Sequence, residues 1–213
     1  MDFKILRERM VAEQLIPRGI SDPRVLDAMS RVERHRFVPE GLRSSAYADH
    51  PLAIGDGQTI SQPYIVALMT ECLQLSGKER VLEIGTGCGY QAAILAELCA
   101  QVYSVERFES LSVKAQGALC ALGYNNIHTR VADGTLGWPE ETPFDRIIVT
   151  AASPVVPGPL LEQLKDRGKL ILPMGESLSQ VLTLIEKKGG NLEYTDICAC
   201  VFVPLVGKYG MRN

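Results

Sequence analysis

Three carboxylates in this chain stand at or just beyond the end of an expected strand: Glu83 in Val81-Leu82-Glu83-Ile84-Gly85-Thr86-Gly87-Cys88-Gly89-Tyr90, Glu106 closing Gln101-Val102-Tyr103-Ser104-Val105-Glu106, and Asp133 in Ala132-Asp133-Gly134. The alternating glycines let the backbone turn sharply and let a ligand approach the main chain with no Cβ in the way. Glu106 lies 23 residues beyond Glu83, and an ionised carboxylate at a strand end can accept hydrogen bonds from both vicinal hydroxyls of a ribose. Asp133 offers a short acceptor before a flexible residue, although an Asp-Gly turn explains that pair without any ligand. Together these residues suit a nucleoside-containing cofactor.

Other chemistries find less support. A phosphate cradle needs Lys-Ser/Thr after its last glycine, where Tyr90-Gln91 stand here. The spacing Gly85, Gly87, Gly89 also misses the Gly-x-Gly-x-x-Gly dinucleotide fingerprint. The three histidines, His35, His50 and His128, lie in separate segments without zinc-ligand spacing, so no metal is expected. Ser61 and Ser153 lack the Gly-x-Ser-x-Gly elbow of a hydrolase.

The elements that must position these groups follow from periodicity. A buried strand running into residues 91–98, with apolar positions at helical spacing, gives strand, turn and helix in order. Further strands are expected over residues 101–106, 126–131, 144–150, 168–173, 180–186 and 197–203, with a short helix over 159–164 and a hairpin turn at Lys187-Lys188-Gly189-Gly190-Asn191. Helices are expected over residues 2–14, 22–31 and 63–73, the second capped by Ser21 with Pro23 in its first turn. Strands alternate with helices up to Leu172 and then run on without them. This predicts an α/β fold, a Rossmann-like, doubly wound, mostly parallel seven-stranded sheet with N-terminal helices and an antiparallel C-terminal strand pair. Residues 53–64 read as a polar, glycine-rich extended piece leading to a helix, with Gln62 held extended by Pro63.

At 213 residues and 46% hydrophobic, the chain suits one domain with a sizeable core. We divide it into an N-terminal helical and substrate-segment region (1–75), a cofactor-binding core (76–175) and C-terminal strands with a substrate-side extension (176–213). A net charge of −3 gives no long-range attraction to a nucleic-acid backbone. Lys4, Arg7 and Arg9, and likewise Arg31, Arg34 and Arg36, read as solvated helix faces. The six cysteines form no Cys-x-x-Cys pair and read as buried thiols. With no signal-peptide-like or membrane-spanning run, a reduced, cytoplasmic protein without membrane contact is expected.

The run Glu83-x-Gly85-x-Gly87-x-Gly89 resembles motif I of the S-adenosylmethionine-dependent methyltransferases of Rossmann-like fold. Residues outside the loop narrow the resemblance. Gly57-Gln58-Thr59-Ile60-Ser61-Gln62-Pro63 resembles the segment preceding motif I in the protein-L-isoaspartate (D-aspartate) O-methyltransferases. Other resemblances to this family run through the chain, in Met10-Val11, Gln14-Leu15, Val25-Leu26, Ala28-Met29, Arg36-Phe37-Val38-Pro39, Tyr47-Ala48-Asp49, Phe144-Asp145, Ala151-Ala152, Pro173-Met174-Gly175 and Phe202-Val203-Pro204-Leu205. The chain departs modestly at Ala132, where Gly often precedes the Asp-Gly pair, and at Val206-Gly207.

The resemblance implies methyl transfer from S-adenosylmethionine, leaving S-adenosylhomocysteine, to the free α-carboxylate of isoaspartyl residues in damaged proteins and peptides. It implies cofactor contacts from Thr59, Ile60, Ser61, Glu83, Gly85, Thr86, Gly87, Glu106, Arg107, Asp133 and Gly134, with Asp133 beside the adenine. Thr59, Ile60, Ser61, Val203, Pro204 and Leu205 would contact the substrate. Ser61 would be the catalytic residue, its hydroxyl orienting the acceptor. A monomer is expected. A methyltransferase for RNA or a small molecule would use the same cofactor layer, but Thr150-Ala151-Ala152-Ser153-Pro154 replaces the Asn/Asp-Pro-Pro-Tyr/Phe strip that base methylation favours. A non-catalytic binding module is the remaining class.

Overall fold

Nearly continuous burial of Arg80–Ile84, Gln101–Glu106 and Phe144–Val149 places three strands at the centre of a sheet covered on both faces. The computed structural model describes residues 1–176 and 179–211. In chain order its main elements are α1 (Phe3–Arg9), α2 (Pro23–Arg31), β1 (Leu52–Gly55), β2 (Gln58–Ile60), α3 (Pro63–Cys72), β3 (Arg80–Ile84), α4 (Tyr90–Ala96), β4 (Gln101–Glu106), α5 (Glu109–Ala121), β5 (Ile127–Val131), β6 (Phe144–Val149), α6 (Gly158–Gln163), β7 (Leu164–Glu176), β8 (Ser179–Lys188) and β9 (Asn191–Cys200).

The seven-stranded sheet has the order β5-β4-β3-β6-β7-β8-β9. Strands β5 to β7 pair in parallel, β8 is antiparallel to β7, and β9 is antiparallel to β8. The mostly parallel, doubly wound sheet with an antiparallel C-terminal pair is therefore present. Alternation sorts the core: Val81, Val102, Ile148 and Ile171 pack with the N-terminal helices, whereas Leu82, Ile84, Val105, Ile147, Val149 and Leu172 form a second core on the opposite face. The connections leave β3 and β6 in opposite directions, and such a switch point opens a crevice at the carboxyl ends of the strands.

Several boundaries differ from the sequence expectation. The first helix stops at Arg9 and continues as a π-helical segment over Met10–Leu15. The cap of α2 is Asp22, whose Oδ1 accepts from Arg24 N–H at 2.9 Å, while the Ser21 N–H is drawn to Glu71 Oε1 at 2.7 Å. Asp caps as well as Ser, and Asp22 directly precedes the proline. Strand β9 spans Asn191–Cys200 rather than 197–203, because the two-residue turn Gly189-Gly190 pairs Lys188 with Asn191 and so fixes its start. The segment 53–64 contains an antiparallel hairpin, β1 with β2, turned by Asp56 (φ 50°) and Gly57 (φ 68°). Asp-Gly was its signal in the sequence. Cys99 is buried, but Cys120 is exposed and the other four cysteines are half-buried, so the expectation of six buried thiols fails. All six are free. Among the described residues no helix is long and apolar enough to cross a membrane.

Candidate active site

The cleft over the switch point is walled by the carboxyl ends of three strands: Ile84 and Gly85 at the end of β3, Val105 to Phe108 at the end of β4, and Thr150 and Ala151 just after β6. Gly85 carries the turn with φ 98°, and a Cβ there would run into the Thr150 hydroxyl. That hydroxyl donates to Gly85 O at 2.8 Å and Ile84 O at 3.0 Å, tying the loop to β6. Across the cleft, Glu106 Oε2 accepts from Gly87 N–H at 2.8 Å, and Oε1 accepts from Arg107 N–H at 2.8 Å and Phe108 N–H at 3.0 Å. Three backbone donors thus aim this carboxylate. Its two oxygens offer about four lone-pair directions, so acceptor capacity remains for a hydroxyl.

Two expected cofactor residues take other places. Glu83 is fully buried beneath the loop, and its Oε2 accepts from the Ser104 hydroxyl. Ser104 in turn shares a 2.6 Å hydrogen bond with the Thr86 hydroxyl. Side-chain alternation along β3 turns Glu83 to the buried face that also carries Val81, so it supports the loop from below and does not line the cleft. Burial, reinforced by the charge of Glu106 and only partly opposed by Ser104, pushes the Glu83 carboxyl up to about 8. Asp133 does not line the cleft either. It accepts from Thr135 N–H (2.9 Å), the Thr135 hydroxyl (2.7 Å) and Lys208 N–H (2.8 Å), fastening the C-terminal segment to the loop after β5. Burial would raise its pKa, but these hydrogen bonds outweigh burial and hold it below the ordinary value. Thr59, Ile60, Ser61, Gly85, Thr86, Gly87, Glu106, Arg107, Gly134, Val203, Pro204 and Leu205 all meet around the one cleft.

A second groove opens from the same place, between Arg18 and Tyr64 on one side and residues 198–203 on the other. It shares Thr59, Ser61, Thr150 and Val203 with the first cleft. Two ligands could therefore meet at Ser61. The Ser61 carbonyl accepts from Arg34 Nη2 at 2.8 Å, and Arg34 Nε donates to Ala46 O at 2.7 Å. The guanidinium lies 4.9 Å from the centre of the Tyr90 ring at the start of α4. Arg34 is 0% exposed, contrary to the expected solvated face, whereas Arg31 and Arg36 are exposed. Arg7 is half-buried and donates to Ser30 O at 2.5 Å. A turn residue among charged neighbours carries no periodic signal, so Arg34 was not legible in the sequence; Thr150 was missed too, although a hydroxyl closing an apolar strand was a signal for it.

Among the described residues the cleft holds no activated nucleophile of the thiolate kind. Burial pushes the Cys88 thiol up to about 11, leaving it neutral. Among the described residues no three His, Cys, Asp or Glu side chains converge in a way that could hold a metal ion.

The sequence model of the protein-L-isoaspartate(D-aspartate) O-methyltransferases (PCMT) matches residues 6–210. The chain belongs to this family. It is 56% identical over 213 residues to protein-L-isoaspartate O-methyltransferase 1 of Syntrophobacter fumaroxidans, covering 100% of both chains. It is 56% identical to the protein-L-isoaspartate O-methyltransferase of Geobacter metallireducens, covering 99% of this chain and 98% of the relative. A solved protein-L-isoaspartate O-methyltransferase superposes with a TM-score of 0.86 at 32% identity, over 96% of this chain and 67% of that one. A second structure, a Plasmodium falciparum protein described as a protein-L-isoaspartate O-methyltransferase in complex with S-adenosyl-L-homocysteine, superposes with a TM-score of 0.81 at 27% identity, over 97% of this chain and 99% of that one.

In this member of the isoaspartate O-methyltransferase family, the glycine loop and Glu106 fit a nucleoside cofactor. Gly85, Gly87 and Glu106 line the same cleft, so loop backbone and a carboxylate acceptor face one space.

Proposed function

We propose that the cleft between Gly85, Glu106 and Gly134 holds S-adenosylmethionine and that the adjoining groove holds an isoaspartyl peptide, whose free α-carboxylate is methylated at Ser61. The observation that carries this reading is the shared wall: Thr59, Ser61, Thr150 and Val203 border both spaces. Glu106 accepts from a ribose hydroxyl, and the Gly85 to Gly87 backbone approaches the cofactor closely. Arg107 and Gly134 complete that side, and Asp133 and Glu83 act by holding the surrounding segments.

S-adenosylmethionine, when bound, supplies a methyl group on a sulfonium that needs no further activation. The task of the chain is positioning. An α-carboxylate titrates well below pH 7, so it arrives ionised and requires no general base. The Ser61 hydroxyl makes no hydrogen bond within the described residues and orients one carboxylate oxygen, while Arg34 holds the Ser61 backbone. Val203, Pro204 and Leu205 supply the edge along which an extended substrate lies. In the product, methoxide is a better leaving group than a carboxylate oxygen. The following backbone nitrogen closes a succinimide with loss of methanol, and hydrolysis returns part of the material to normal aspartate.

The same proposal treats the chain as one methyltransferase domain with the divisions 1–75, 76–175 and 176–213. Ser177, Leu178, Arg212 and Asn213, which fall in the last of these, lie outside the described residues. It includes action as a monomer, without nucleic acid, in the cytoplasm. The net charge of −3 and the free cysteines support the last two points. The test is transfer of labelled methyl from S-adenosylmethionine to paired peptides differing only in an isoaspartyl or aspartyl linkage. Base-labile label in the isoaspartyl peptide alone is expected. Label in neither peptide, with cofactor binding intact, would reject the acceptor.

A further inference from the structure

The strip that carries Val203 is held by a side chain that lies outside both spaces. Gln180, near the start of β8, is 3% exposed. Its amide meets the backbone of Phe202 head to head: Phe202 N–H donates to Oε1 at 2.6 Å, and Nε2 donates to Phe202 O at 3.1 Å. A primary amide carries the same donor and acceptor as a peptide group. The pair therefore extends the β8–β9 ladder beyond its last register pair, Gln180 with Cys200.

Past this point the chain changes partners. Ala152 N–H donates to Val203 O at 2.8 Å, and Leu205 N–H donates to Ala152 O at 2.7 Å. Gln180 thus stands at the pivot where the chain leaves β8 and crosses to the carboxyl end of β6. Successive polar groups of an extended chain point to opposite sides. With both groups of Phe202 turned to Gln180, the Val203 carbonyl turns to Ala152, and Val201 and Val203 both line the groove beside Arg18 and Tyr64. Among the described residues, Val203 N–H donates to no protein acceptor.

We propose that Gln180 is a positioning residue for the peptide acceptor: by clasping Phe202 it fixes Val201 to Val203 as the edge against which an extended isoaspartyl peptide pairs. This rests on the groove being the peptide site, as read above. Gln180 touches neither ligand and acts through Phe202.

Gln180→Met keeps the length of the side chain and removes both hydrogen bonds. The KM for an isoaspartyl hexapeptide is expected to rise about tenfold, while kcat stays within about twofold and calorimetric S-adenosylhomocysteine affinity is unchanged. Gln180→Glu keeps the acceptor for Phe202 N–H and loses the donor, so its KM should lie between the two, and it carries the test if the Met variant does not fold. A side chain with a merely structural role would lower the melting temperature and the active fraction but leave KM where it was. An unchanged peptide KM, or a loss of S-adenosylhomocysteine affinity in step with KM, would overturn the proposal. If the unaltered chain methylates no isoaspartyl peptide, the groove reading itself falls, and this proposal with it.

Discussion

The cofactor wall and the acceptor wall of the cleft are built by different means. On the cofactor side each residue stands at the end of a strand and is tied to the next strand: Gly87 N–H to Glu106, the Thr150 hydroxyl to Ile84 and Gly85, and Thr86 through Ser104 to Glu83. The sheet itself fixes that wall. On the acceptor side, residues 59–62 and 201–205 lie at or beyond the ends of strands, and side chains from elsewhere hold their backbone: Arg34 on Ser61 and Gln180 on Phe202. The acceptor side should therefore be separable from cofactor binding by single substitutions.

The comparison breaks most visibly at Glu106. Glu106→Ala strips the acceptor from Gly87, Arg107 and Phe108 N–H together, and S-adenosylhomocysteine affinity should fall about 100-fold, since hydrogen bonds to a charged group contribute about 1.5–3 kcal/mol each. Titration calorimetry reads this directly, and an unchanged Kd would show that the strand end does not set the wall. Arg34→Met should lower kcat/KM for an isoaspartyl peptide about 30-fold while leaving that affinity in place, because it orphans the Ser61 and Ala46 carbonyls. Arg34→Lys should not restore activity, since one ammonium cannot reproduce the planar fork that reaches both oxygens. A parallel loss of cofactor affinity in Arg34→Met, transmitted through Tyr90, would erase the distinction between the walls.

Ser61→Ala is expected to lower turnover about tenfold with little change in cofactor affinity, the loss of one hydrogen bond to a charged acceptor. Equal losses in both quantities would place Ser61 on the cofactor wall. Glu83→Gln gives the smallest effect and probes the support beneath the loop. The carboxyl is protonated in the folded chain up to about pH 8 but ionises near 4.5 when unfolded, so the unfolded state binds fewer protons across that interval. Folding stability therefore falls as pH rises from about 4.5 to about 8, and the neutral amide should flatten that slope in denaturant titrations. An identical slope in both proteins would show that Glu83 is ionised in the fold.

How much was legible beforehand divides along the same line. The strands carrying Glu83 and Glu106, the glycine turn and the hairpin at Gly189-Gly190 announce themselves through short-range pattern, and their boundaries fell within a few residues. Strand β9 was read with a late start and an overrun past Cys200, because it lies at a sheet edge, where polar residues such as Glu193, Thr195 and Asp196 blur the apolar pattern. The Asp56-Gly57 turn was present in the sequence but was taken for part of an extended connection.

The sequence by itself determined the α/β architecture and the cofactor side. Burial on both faces of parallel strands and the conformational needs of a glycine turn are local requirements that leave local patterns. The direction of the Glu83 side chain, the burial of Arg34 and the clasp of Gln180 on Phe202 were decided only by the tertiary structure. Arg34 and Ser61 are 27 residues apart, and Gln180 and Phe202 are 22 apart. Each is a single polar contact between segments that the sheet brings together, and a buried donor takes whichever acceptor the fold places within its reach.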